Sequence, residues 1–239
     1  MSKMNYEYLK IGEKFPSGNP YLNPDTKKIF LQKMDTLDYG VEDKVKYCLS
    51  LFGWTGEKRP ESELFLQDMA KFHYYLFPAA RIFLERFGGL QIYDGKDKLT
   101  FLQEYPFDIY DFSFLEAFQI FKNELLVPVI KLDEMEIFLA ESGNVYYWGY
   151  DLTGVFPGDL FSVFSSMVFH LDRDLWFCTT REERQEVLWW DQDLMDHIEN
   201  ETNAGTYIPY AQKRFAQNAG IPNPMTGRDA FTQWLLSFD

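Results

Sequence analysis

The stretch from Pro78 to Leu90 (Pro-Ala-Ala-Arg-Ile-Phe-Leu-Glu-Arg-Phe-Gly-Gly-Leu) constrains the fold more than any other part of the chain. Pro78 suits the first helical turn, because its missing N–H leaves no extra unpaired donor there. Ala79, Ile82, Phe83 and Phe87 recur at helical spacing and define one apolar face. Gly88 or Gly89 supplies the positive-φ stop that lets the chain reverse into a strand after Leu90. None of these side chains is a nucleophile, a base or a metal ligand. The best-marked motif therefore specifies architecture.

The surrounding pattern alternates helices with short strands. Val41, Val45, Cys48, Leu49 and Phe52 form a helical stripe ending at Gly53-Trp54, and Thr55 to Pro60 reads as a turn. A second helix is expected from Glu61 to Phe77, with Leu64, Phe65, Met69, Phe72 and Leu76 inward. Asp94-Gly95-Lys96-Asp97 reads as a turn before a strand at Leu99–Leu102. Ser113 and Glu116 have the spacing of a capping box ahead of Phe114, Phe118, Phe121 and Leu125. Alternation over Met135–Ala140, a turn at Ser142-Gly143-Asn144 and a return from Val145 to Tyr150 make a hairpin. Pro157-Gly158-Asp159 opens another helix. Thr180 and Glu183 suggest a second capping box, heading a helix through Val187, Trp190, Leu194 and Ile198. Two short helices follow, near Tyr210–Ala219 and from Thr226 to Phe238. The expected class is α+β: a twisted, mainly antiparallel sheet with surrounding helices, and a helical C-terminal extension. Residues 1–37 form an N-terminal arm with one short helix near Lys27–Met34, 38–169 the α+β domain, and 170–239 the extension packed on it.

Charge narrows the partners. The chain carries 23 Lys+Arg against 37 Asp+Glu, a formal charge of −14. Such a surface repels nucleic acid and anionic membranes and attracts basic proteins. No apolar run approaches the ~18–20 residues that span a bilayer, and the N-terminal residues lack an apolar signal core. The expected location is the cytoplasm, with Cys48 and Cys178 as reduced core thiols. Acidic turns beside the sheet supply candidate partner-binding residues: Asp94, Asp97, Glu104 and Asp108. The acids of 191–199 are an alternative patch.

Catalytic signals are weak. His73 sits in an aromatic helix, while His170 and His197 lie near acids, and Asp193 with His197 are i,i+4 on one helix face. That spacing permits a metal, but Asp191, Asp193, Asp196 and Glu199 equally describe a solvated acidic face, and neither metal nor cofactor is expected. Gly-x-Ser-x-Gly, Gly-x-Gly-x-x-Gly and Gly-Lys-Ser/Thr motifs are missing from the chain.

Gly53-Trp54, Gly56 with Arg59, and Pro78 through Leu90 occur in an order that resembles the SUKH superfamily, and its third subgroup of immunity proteins in particular. The hairpin from Ile137 to Tyr146 and the helix from Pro157 are similar to that subgroup's later elements, so the resemblance covers about 41–169. It implies an α+β fold in which Trp54, Gly88, Gly89 and Gly143 are fold determinants. It also implies a non-enzymatic function: binding and occluding a cognate bacterial toxin, a basic nuclease being the type that a −14 partner suits. Two other classes remain open. One is a SUKH-like scaffold or regulator of another protein, and the other is a metal-dependent hydrolase using His170 or His197.

Overall fold

The computed structural model describes residues 6–93, 98–100, 108–132, 134–172, 178–217 and 230–238. Its centre is a seven-stranded antiparallel sheet whose spatial order follows the chain: β1 (Gln91–Tyr93), β2 (Lys98–Thr100), β3 (Leu126–Leu132), β4 (Met135–Ala140), β5 (Val145–Gly149), β6 (Leu152–Val155) and β7 (Val187–Leu188). Helices α1 (Pro24–Asp35), α2 (Val41–Leu51), α3 (Ser62–Lys71) and α4 (Pro78–Phe87) precede the sheet. The chain then inserts α5 (Ile109–Lys122) between β2 and β3, and α6 (Leu160–Val163) follows β6. Helices α7 (Gln192–Asn203), α8 (Tyr210–Gln217) and α9 (Ala230–Leu236) close the chain. The expected α+β class with a helical C-terminal region is what forms.

The register explains why the sheet needs cover on both sides. Glu136, Trp148, Thr153 and Val187 are successive cross-strand partners and share one face with Phe138 and Tyr146. Helix α5 lies on this face, with Phe118 and Phe114 at 5.0 and 6.2 Å from Phe138. Ile137, Leu139, Val145 and Tyr147 point the other way and are buried as well. Alternation into two apolar interiors suits a sheet sandwiched by helices rather than one with a wet face. Gly154 sits opposite Tyr147, and a Cβ there would run into the phenol ring, so the close approach requires glycine.

The Pro78–Leu90 motif forms as the spacing predicts. Pro78 opens α4, Phe83 stacks on Phe87 at 4.6 Å, and Gly89 takes the positive φ of 72°. The two halves of the motif series meet in space. Arg59 donates from Nε to the Gly88 carbonyl at 2.9 Å and from its guanidinium to the Gly89 carbonyl at 3.4 Å. Its own backbone N–H donates to the Glu85 carbonyl at 2.7 Å, while Arg86 reaches back to the Gly56 carbonyl. Trp54 is buried and stacks on Phe87 at 5.3 Å. The Gly53–Arg59 turn is thus clipped to the C-terminus of α4, satisfying carbonyls the helix leaves open. Gly143, at φ 92°, makes the β4–β5 turn, and its N–H donates to the Ala140 carbonyl.

Both chain ends share the interior. Tyr21 is fully buried, donates to the Phe169 carbonyl at 2.9 Å and lies 3.5 Å from the Cys48 sulfur. From α9, Trp234 packs 5.4 Å from Trp54, and the Lys46 ammonium sits 4.7 Å over its ring. One apolar cluster therefore runs from Tyr8 to Leu235 across the arm, the sheet region and the C-terminal helices.

Five local readings need correction. Leu64 of α3, expected inward, is exposed, while Phe65 and Met69 are buried. Helix α3 ends at Lys71, because His73 adopts φ 54° and the chain then extends so that Tyr74 can donate to the Leu126 carbonyl. Ser113 and Glu116 are buried inside α5 and do not cap it; Asp108 and Asp111 make the capping box. Thr180 and Glu183 do exchange hydrogen bonds, but around a turn. That turn leads through Gln185 at φ 51° to β7, and the helix starts only at Gln192. Both cysteines are free, Cys48 buried as expected and Cys178 exposed instead of in the core.

Candidate partner-binding surface

Of the four acids singled out in the sequence, Asp94, Asp97 and Glu104 fall outside the described residues. Asp108 is described, and its first task is local. Its carboxylate accepts the N–H groups of Tyr110 at 2.9 Å and Asp111 at 3.0 Å, while Asp111 accepts the Asp108 N–H at 3.3 Å. This reciprocal cap satisfies the open donors at the start of α5 and puts two negative charges at its positive end.

The fold then brings other acids to the same place. Glu136 reaches it from β4, paired with Lys131 of β3 at 3.6 Å across the register. Glu199 reaches it from α7, accepting from Ser113 Oγ at 2.9 Å. The Tyr110 phenol lies in the field of Asp108, Asp111, Glu136 and Glu199 together. Burial pushes the Asp111 and Glu136 carboxyl groups above the ordinary range, and each is raised further by a neighbouring carboxylate, with Lys131 opposing. Two half-buried carboxylates that gain from a cation are unlike ordinary solvated acids.

Aromatic side chains adjoin the acids. Trp148 is the cross-strand partner of Glu136, and Trp190 stacks on it at 5.7 Å. Tyr110 and Trp190 are 47% and 39% exposed. Acids around accessible aromatic rings are the makings of a protein-binding surface, where rings supply area and charge supplies selectivity. Beside them α7 turns Asp193 and Asp196 to solvent. The alternative acidic patch of 191–199 meets this one through Glu199 and through Gln192, which accepts from Trp190 Nε1 at 3.2 Å and donates to Asp196 at 2.7 Å. Asp108 and the 191–199 acids carried a sequence signal. Tyr110, Asp111 and Glu136 did not, because only strand register and the inserted α5 bring them together.

The histidines do not join this group. His197 is exposed and lies 3.6 Å from Glu201, His73 is exposed on its turn, and His170 sits half-buried at φ 55°. Among the described residues no three His, Cys, Asp or Glu side chains are grouped as a metal site would need. No described helix is long and apolar enough to cross a membrane.

A third carboxylate ties the C-terminal helices to α5. Glu116 accepts from Tyr207 Oη at 2.8 Å, the Tyr210 N–H at 2.6 Å and Gln119 Nε2 at 2.8 Å, and burial raises its pKa. Asp111, Glu116 and Glu136 therefore all bind their protons more tightly folded than unfolded. Over the window from neutral pH down to the usual carboxylate values, the native state takes up more protons, so stability rises as pH falls. Glu183 and Glu186 are shifted the other way and lose stability only below that window. The expected result is a higher urea midpoint at pH 5 than at pH 7.5. A shallower rise in Glu116→Gln separates this group from relief of general charge repulsion; an identical slope in the variant would rule Glu116 out as a source.

Comparison with protein-family models, curated proteins and solved structures finds no match to this chain.

Proposed function

We propose that this protein binds and neutralises a basic protein toxin, as an immunity protein of the SUKH type, without catalysis. The observation that carries the reading is the convergence of Asp108, Asp111, Glu136 and Glu199 beside Tyr110 and Trp190. Two of the carboxylates, Asp111 and Glu136, are held above their usual pKa by burial first and then by a neighbouring carboxylate (Asp108 for Asp111, Asp111 for Glu136), so an incoming Lys or Arg relieves a standing cost. The −14 charge adds steering toward such a partner. The resemblance supplies the biological class, and the Arg59 clip that unites its Gly-Trp and Phe-Gly-Gly-Leu elements is consistent with a shared framework. A cytoplasmic setting, where a producing cell meets its own toxin, belongs to the same proposal.

The test is co-expression with the toxin encoded by the neighbouring gene. Restored growth together with a co-purifying 1:1 complex supports the reading. Binding without rescue, or rescue lost in a variant that still binds, would favour a scaffold or an enzyme instead.

A further inference from the structure

The N-terminal arm builds a groove unrelated to the acidic surface. Thr26, Ile29, Phe30 and Lys33 occupy one stripe of α1 at helical spacing and face the segment Phe15–Pro20. Between them lies a cavity of about 410 Å³, within the range of small-ligand sites. Its walls are fixed by their own polar groups. Asn19 donates to the Leu51 carbonyl at 3.0 Å and accepts the Tyr21 N–H at 3.0 Å; Thr26 Oγ1 donates to the Pro20 carbonyl at 2.9 Å. Phe15 packs 4.8 Å from Phe30, closing the floor. Those bonds hold the walls in place, and the surfaces presented to the cavity are mainly rings and aliphatic carbons. Ile29 stands 66% exposed at the rim, an apolar side chain that an occupant would cover.

Charge selects the occupant. Lys33 is the one charged residue in the lining, and it is a cation on a chain of net −14. Its ammonium lies 4.6 Å over the Phe15 ring and donates to the Lys14 carbonyl. An ammonium has three donors, so it can hold that carbonyl and an incoming anion together. We propose that this groove binds a small amphipathic carboxylate, its apolar tail between Phe15, Pro16, Pro20 and Ile29 and its headgroup on Lys33. This site is independent of toxin binding, and its failure would leave that reading untouched.

Octanoate is a suitable probe, followed by titration calorimetry and by amide shifts in an ¹⁵N spectrum. A ligand of this size in an open groove should saturate with a Kd of about a millimolar or tighter. Shifts should centre on Thr26–Lys33. Lys33→Glu and Ile29→Glu change exposed positions, so both should fold, and each should weaken octanoate by about tenfold or more. Octanol, which keeps the tail and lacks the charge, should bind about tenfold more weakly than octanoate. Absence of saturation at about 5 mM, shifts that map elsewhere, or equal binding of octanol and octanoate would overturn the proposal.

Discussion

Replacing Gly88 by alanine is expected to cost about 3 kcal/mol and to lower the melting temperature by roughly 10 °C. The backbone at Gly88 has φ −50° and ψ 133°, which any residue adopts, so the penalty is steric. A Cβ would stand 2.6 Å from the Leu84 carbonyl oxygen and 2.7 Å from Ser62 Cβ, with Ser62 Cα at 3.1 Å. Leu84 belongs to the helix that Gly88 ends, and the Gly88 N–H already donates to that same carbonyl at 2.9 Å. Ser62 opens α3 and its hydroxyl donates to the Arg59 carbonyl at 2.7 Å, so relief by moving it would strain the Arg59 clip. Gly53→Ala is the comparison. It has φ 83° and nothing within 4 Å of the added carbon, so only backbone strain of about 1 kcal/mol is expected. Thermal melts of both variants check the ordering; a Gly88→Ala melt close to the native one would mean that α3 and α4 are not packed as described.

The largest effect on binding is expected from Asp193→Lys/Asp196→Lys. Both side chains are exposed on α7, whose Gln192 links Asp196 to Trp190 of the acidic face, and neither lies in the core. Each reversal removes one negative charge and adds one positive charge, so the pair takes the net charge from −14 to −10. Association with a basic toxin should slow by about 10- to 100-fold at low salt, converging with the native rate as salt shortens the Debye length. Dissociation should change much less, because charges at a rim steer encounter more than they hold the complex. Stopped-flow kinetics at two ionic strengths decide the matter. An unchanged association rate would place the interface on another face.

How much of this was legible beforehand depended on how local the cause was. Helix α4 was legible because start, stripe and stop lie within one segment, and the β4–β5 hairpin because Gly143 sits between two alternating runs. The end of α3 was not, since its cause is the hydrogen bond from Tyr74 to a carbonyl far along the chain, and the apolar stripe through Leu76 continues past it. The region 180–191 misled for a similar reason. Thr180 and Glu183 make the reciprocal bonds their spacing suggests, yet Glu186 is held by Tyr147 at 2.7 Å and by Arg184, which draws the next residues into the sheet edge. The acidic surface was half visible. Asp108 and the acids of α7 stood out as charge; Tyr110, Asp111 and Glu136 become neighbours only after α5 is laid across the strand register.

The account rests on this face meeting a cationic partner, and titration calorimetry with an inactivated form of the toxin proposed as that partner tests this most directly. A 1:1 complex is expected, its affinity falling as salt rises and as pH drops from about 7 toward 5, where Asp111 and Glu136 take up protons. No complex, or one indifferent to salt, pH and the Asp193→Lys/Asp196→Lys change, would contradict it.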